Sequence, residues 1–307
     1  MVSALEAVKQ EKIWMNGKLI NWGDAKVHVL SHALHYGTSV FEGIRCYNTK
    51  NGSGIFRLKE HINRLFDSAK IYRLRDIDFS REEVINACKE VIKANKLKSA
   101  YVRPIIFKGY GGLAVIGKDS KTQLSIAAWP WGKYLGESEK GLNVKVSSWT
   151  KLAPNTMPPM AKAGSNYMNA QLAVMEVTAD GYDEAILLDK DGFVSEGSGE
   201  NIFLVKDNII YTPSITSSIL DGITRKSVLE IAQNLKYKTK QEKIPREMLY
   251  IADELFFTGT AAEILPITYV DKIKIADGKI GPVTQKIKNE FYKCIETGEP
   301  KKWFEFV

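Results

Sequence analysis

In KIWMNGKLINW (12–22), short apolar runs, Ile13–Met15 and Leu19–Ile20, stand on either side of Asn16-Gly17. That dipeptide accepts the positive φ of a tight turn, so the segment predicts a β-hairpin. GSGIFRL (52–58) reads as a further short strand. The period then changes: Ile62, Leu65, Phe66, Ala69 and Tyr72 recur at helical spacing over 59–74. Ser80 followed by Glu83 is a capping-box pattern opening a second helix, with Val84, Ala87, Val91 and Ile92 on one face. AYVRPIIF (100–107) and QLSIAAW (123–129) are strand-like and close a first domain over 1–128. WPWGKYLGESEKG (129–141) mixes Gly, Pro and charge and reads as a connector to a larger domain over 142–307. That domain restarts with VKVSSW, enters a helix over about 165–180 stopped by Gly181, and continues as a β-meander: EAILLD, FVSEG, NIFLV and IIYTP. A helix from about Thr224 follows, and ELFFTGTAAEILPITYV (254–270) reads as strand, tight turn and strand. The fold class is therefore α+β.

Composition narrows the function classes. With 307 residues, 44% hydrophobic and 26% charged, the chain is an ordinary globular protein long enough for two cores. The net charge of +7 is spread over 43 basic and 36 acidic residues without a basic run, which argues against nucleic acid. Three distant cysteines and no CxxC point to reduced thiols and a cytoplasmic setting. Charged residues interrupt the N-terminal stretch, and no apolar run reaches the roughly 20 residues that span a bilayer, so no membrane partner is expected. The four histidines lack metal-site spacing, and no GxSxG is present.

Four stretches carry candidate chemistry. Lys162 is the only cation in PNTMPPMAKAGSNYMNAQLA (154–173), which has no Asp, Glu, Arg or His. Flanked by Ala161 and Ala163, it can be approached closely by a ligand, and apolar surroundings would lower its amine pKa towards a nucleophile's. The turns at LDGITR, with Gly222, Ile223 and Thr224, and at FTGTAAE, with Gly259, Thr260 and Ala261, offer N–H and hydroxyl donors to an anion. Glu196, between small residues in VSEGSGEN, suits a protonated pyridine nitrogen. Each has a plainer reading: a surface lysine, an N-capping threonine, a charge at a hairpin end. Together they suggest pyridoxal 5′-phosphate. GLAVIGKD (112–119) fits GxxxxGK of a phosphate-binding loop, but Asp119 stands where a Mg²⁺-binding hydroxyl is needed, so a nucleotide-binding protein is the rival of another class.

Over nearly its whole length the chain resembles the branched-chain-amino-acid aminotransferases, fold-type IV pyridoxal-phosphate enzymes. The likeness runs through KVHVLSHALHYGTSVFEGIRCY (26–47), HINRLFDSAKIY (61–72), AYVRPIIF, APNTMPPMAKAGSNY (153–167), SEGSGENIF (195–203), LDGITR (220–225) and DELFFTGTAAEILPI (253–267). The resemblance implies two α/β domains of the D-amino-acid-aminotransferase-like architecture joined by the connector. It implies that Lys162 forms the Schiff base and Glu196 holds the pyridine nitrogen. Arg64, the Ile223-Thr224 turn and Thr260 would bind phosphate, Tyr167 the ring hydroxyl, and Leu220 would pack on the ring. Substrate would meet Tyr36, Phe41, Tyr101, Arg103, Tyr134 and the Thr260-Ala261 turn, in a homodimer at least, or a hexamer. The implied reaction is a ping-pong exchange of the amino group of leucine, isoleucine or valine with 2-oxoglutarate, without metal. A D-amino-acid aminotransferase or an aminodeoxychorismate lyase of the same fold is the nearest alternative.

Overall fold

The computed structural model describes residues 10–131 and 140–307. They form two compact units: 10–131, 161–165 and 294–307 in one, 140–160 and 166–293 in the other.

In the first unit, β1 (Lys12–Met15) and β2 (Lys18–Asn21) form the expected hairpin, with Asn16 at φ 48° and Gly17 at φ 90°. Then come α1 (His32–Tyr36), β3 (Ser39–Phe41), β4 (Ile44–Thr49), β5 (Gly52–Phe56), α2 (Leu58–Ile71), α3 (Arg81–Ala94), β6 (Ala100–Lys108) and β7 (Thr122–Trp129). The sheet order is C-terminal strand Phe304–Phe306, β5, β4, β6, β7, β1, β2, every pairing antiparallel, with β3 also paired to β6. Helix α2 buries Leu58, Ile62, Leu65 and Ala69 at helical spacing, and α3 buries Val84, Ala87, Cys88, Val91 and Ile92; both stripes join the core beneath this sheet. The capping box is present: Glu83 N–H donates to Ser80 Oγ (3.3 Å) while Ser80 N–H donates to Glu83 Oε2 (2.7 Å).

The second unit contains β8 (Leu142–Val146), α4 (Tyr167–Ala179), β9 (Glu184–Leu188), β10 (Val194–Gly197), β11 (Asn201–Lys206), β12 (Ile209–Pro213), α5 (Ile223–Asn234), β13 (Lys238–Glu242), β14 (Glu254–Gly259), β15 (Glu263–Val270), β16 (Ile273–Lys274) and most of α6 (Pro282–Thr297). Its sheet order is β10-β9-β8-β15-β14-β11-β12-β13, with β16 beside β15. Two of its three parallel pairs, β8 with β9 and β12 with β13, are joined through α4 and α5, the crossover that parallel pairing demands.

Three expectations change. The expected meander is two hairpins, because β11 pairs with β12 and β14, not β10. NIFLV and ELFF are buried on both faces, the pattern of central strands that seek each other. The sequential division at 128 and 142 is replaced by a discontinuous one. Phe304–Phe306 extends the first sheet at β5, and Ala163 bridges Val40, non-local pairings that no local pattern discloses. Finally, 112–119 lies in an irregular loop between β6 and β7 with no helix after it, so the nucleotide-loop reading fails.

Candidate active site

In the first unit, Lys162 is fixed by its backbone. Its carbonyl accepts from Phe41 N–H (3.0 Å), its N–H donates to Ser68 Oγ on α2 (3.0 Å), and neighbouring Ala163 bridges Val40. Ala161 and Ala163 are buried, so their methyls pack inward where larger side chains would not fit. Gly164 is required for a similar reason, since a Cβ there would lie 2.6 Å from Ser39 Oγ. The Lys162 ammonium sits 5.1 Å from the centroid of the Phe41 ring, on its face.

Glu42, the next residue after Phe41, is wholly buried. Arg64 grips it with a fork, Nε to Oε1 at 2.7 Å and Nη2 to Oε2 at 2.9 Å, and His61 Nδ1 lies 2.7 Å from Oε2. Burial alone would raise the Glu42 pKa, but the Arg64 charge and the His61 and Arg64 hydrogen bonds outweigh it and hold the carboxyl far below the usual range. Burial, together with the Arg64 and Lys162 charges, lowers the His61 pKa against the opposing pull of Glu42, which favours the neutral imidazole donating Nδ1–H to the carboxylate. Its Nε2 is buried without a hydrogen-bond partner among the described residues.

Arg103 brings together Phe41 and Tyr101, so three of the seven expected substrate residues are neighbours. The Arg103 guanidinium lies 4.8 Å from the Phe41 centroid and 5.3 Å from that of Tyr101, and Nη2 donates weakly to Tyr101 Oη (3.4 Å). The Tyr101 ring packs near Trp129 and Trp131, at 5.3 and 4.6 Å between centroids. A Cβ at Gly43 would overlap the Tyr101 hydroxyl, so glycine is what admits that hydroxyl. Arg103 Nε and Trp129 Nε1 are buried donors without partners among the described residues. Tyr36 is exposed and donates its hydroxyl to Leu113 O (2.8 Å) in the β6–β7 loop. Tyr134 lies outside the described residues.

The second unit holds the other residues. Glu196, on β10, is 5% exposed; its Oε1 is 2.6 Å from Lys151 Nζ, and its Oε2 accepts from Asn201 Nδ2 and Leu220 N–H, both at 3.0 Å. Asn201 also donates to Leu220 O (2.9 Å), tying the LDGITR turn to the carboxylate. Gly222 is the N-cap of α5, and a Cβ there would overlap Asn201 Oδ1. Ile223 and Thr224 occupy the first turn of α5, so Thr224 lies inside the helix instead of capping it. Gly259 ends β14, and half-buried Thr260 and Ala261 make the tight turn into β15. Tyr167 is the first residue of α4 and is half-buried.

Glu42, His61, Lys151 and Asn201 were not singled out by sequence. His61 and Arg64, three apart on α2, share a helical face, a readable hint that Arg64 has a buried partner. Lys151 carries no such signal: its pairing with Glu196 joins the segment after β8 to β10, 45 residues away.

One unit thus presents Lys162 on the Phe41 face, and the other presents the Glu196 carboxylate and the LDGITR and FTGTAAE turns. Residues 39–270 match the family model for Amino-transferase class IV, and the chain belongs to that family. Among its relatives is the branched-chain-amino-acid aminotransferase of Escherichia coli (strain K12), 50% identical over 299 residues and 96% of each chain. Among solved structures it is similar to a T.th. branched-chain amino acid aminotransferase complexed with N-(5′-phosphopyridoxyl)-L-glutamate, with a TM-score of 0.93 and 45% identity over 98% of this chain and 99% of that one. The same T.th. enzyme complexed with 4-methylvaleric acid matches with a TM-score of 0.92 and 44% identity over 98% and 99%. No helix of the described residues is long and apolar enough to cross a membrane, and none of their His, Cys, Asp and Glu side chains form a cluster fit for a metal ion.

Proposed function

We propose that this chain is a pyridoxal 5′-phosphate-dependent transaminase that exchanges the amino group of L-leucine, L-isoleucine or L-valine with 2-oxoglutarate. The observation that carries the reading is Lys162, fixed at its backbone N–H and C=O with its ammonium on the Phe41 face. The donor set fits the cofactor: an amine for the aldehyde, a buried carboxylate for the ring nitrogen, and α5's first-turn N–H groups for a phosphate. When bound, the cofactor supplies the electron sink that stabilises negative charge at the substrate α-carbon.

In this reading Lys162 Nζ would hold the cofactor at its aldehyde carbon and would carry the proton removed from the substrate α-carbon. Glu196 holds the ring nitrogen protonated. Arg64, the Ile223-Thr224 turn and Thr260 bind phosphate, Tyr167 meets the ring hydroxyl, and Leu220 covers the ring; Gly222 and Gly259 keep the backbone accessible. Phe41, Tyr36 and Tyr101 receive the substrate side chain, Arg103 receives the distal carboxylate of glutamate, and the Thr260-Ala261 turn is a further substrate contact. The 4-methylvaleric acid bound by the T.th. relative is leucine's carbon skeleton without the amine, and the phosphopyridoxyl adduct bound there carries glutamate, which supports both substrate classes. Val29, Leu34, Tyr110, Val115 and Ile116 are exposed together in the 27–36 and 110–116 segments, and Met168, Leu172 and Met175 form an exposed stripe on α4. Such apolar surface supports self-assembly as a homodimer at least, or a hexamer. Among the described residues Cys46, Cys88 and Cys294 form no disulfide, which agrees with a cytoplasmic setting.

The test mixes holoenzyme with L-leucine, L-glutamate or D-alanine and follows conversion of the yellow form to the pyridoxamine form. Reaction with both L-amino acids is expected. Reaction with D-alanine but not L-leucine would move the chain to a D-amino-acid aminotransferase. Lys162→Ala is expected to lose both the yellow absorbance and turnover; retention of either refutes its role.

A further inference from the structure

We propose that Glu42, backed by His61, is a positioning residue for the cofactor's phosphate, acting through Arg64; this rests on the reading of Arg64 as a phosphate ligand. An arginine side chain has many rotamers, a freedom that a mobile Arg64 would lose on meeting a phosphate. Glu42 removes most of that freedom beforehand. Its carboxylate takes Nε and Nη2 together at 2.7 and 2.9 Å, which fixes the guanidinium plane.

The carboxylate is itself immobile. Glu42 N–H donates to Pro104 O (2.9 Å), Gly43 is packed under the Tyr101 hydroxyl, and His61 supplies a third donor at 2.7 Å. Because His61 is buried and neutral, it steadies Glu42 without adding charge beside Arg64. Phe41 N–H meanwhile holds the Lys162 carbonyl. One dipeptide, Phe41-Glu42, thus anchors both the backbone that carries the Lys162 amine and the Arg64 guanidinium.

A merely structural ion pair would support any occupant of the site equally; a positioning role discriminates for the phosphate. The experiment compares binding of pyridoxal 5′-phosphate and of pyridoxal, which lacks the phosphate, to apoprotein stripped from holoenzyme, for the wild type, Glu42→Gln, Glu42→Asp and Arg64→Met. Glu42→Gln is expected to weaken pyridoxal 5′-phosphate by about 10- to 100-fold, by analogy with the loss of a residue that orients a metal ligand, and pyridoxal by less than about 3-fold. Glu42→Asp keeps the charge, protects the test if Gln impairs folding, and is expected to show the same selective loss at about 10-fold. Combined with Arg64→Met, Glu42→Gln is expected to add nothing. Equal losses for both ligands, or no loss for pyridoxal 5′-phosphate, overturn the proposal. If Arg64→Met itself keeps the preference for the phosphorylated ligand, the phosphate role of Arg64 fails first, and the proposal with it.

Discussion

Removing the Lys151 charge tests how the Glu196 carboxylate is kept in place. The side chains of Lys151 and Glu196 are 12% and 7% exposed, with Nζ 2.6 Å from Oε1. At an effective dielectric of about 20 the gross attraction is about 6 kcal/mol, largely offset by the desolvation of both charges. Lys151→Met keeps the apolar stem and leaves the carboxylate buried on two neutral N–H donors, from Asn201 and Leu220. Stranding one partner of a buried pair costs about 3–5 kcal/mol; the residual exposure and the two donors reduce this to about 2–3 kcal/mol, or about 4–10 °C in Tm for a chain of this size. The assay is thermal and urea unfolding of the apoprotein. Adding Glu196→Gln to Lys151→Met should restore about 1–2 kcal/mol, because the stranded charge is gone. Pyridoxal 5′-phosphate should raise the Tm of Lys151→Met more than that of wild type, since a protonated ring nitrogen supplies the missing cation. A cost below about 0.5 kcal/mol, or costs that simply add in the double variant, would refute the reasoning.

Two other perturbations test the surroundings. Gly43→Ala places a methyl on the Tyr101 hydroxyl, so the ring must move away from Arg103; the expected result is a stability cost of about 1–3 kcal/mol and a raised KM for the amino acid with cofactor content unchanged, and an unchanged KM would show that Tyr101 is not needed in the pocket. Glu176 would be pushed up by burial, but Ser147, Ser148 and Lys145 bring its pKa from 4.5 down to about 2, so its contribution is complete above pH 4.5 and is lost as pH falls towards about 2. Urea midpoints measured across that window should fall less steeply for Glu176→Gln; parallel curves would contradict the assignment.

How far the sequence discloses this molecule depends on the range of the interaction concerned. The Asn16-Gly17 hairpin, the Ser80-Glu83 box and the amphipathic helices are decided within a few residues by turn geometry, capping and period, and they appear where the pattern put them. The discontinuous units are decided by Phe304–Phe306 finding β5 and Ala163 finding Val40, pairings remote in sequence, so no local pattern contains them. The candidate site divides in the same way. Lys162, Glu196 and the glycine turns stand out because small neighbours mark them, whereas Glu42 and Lys151 are ordinary charges until a remote partner arrives. For Lys162, the absence of charged sequence neighbours is only half of the design. Its backbone is held by Phe41 and Ser68, and its ammonium lies on an aromatic face. The charges stand one residue further along, where Glu42 takes up the Arg64 guanidinium. The backbone that carries the amine is therefore held by neutral groups, while the strong ion pair beside it serves to orient the guanidinium.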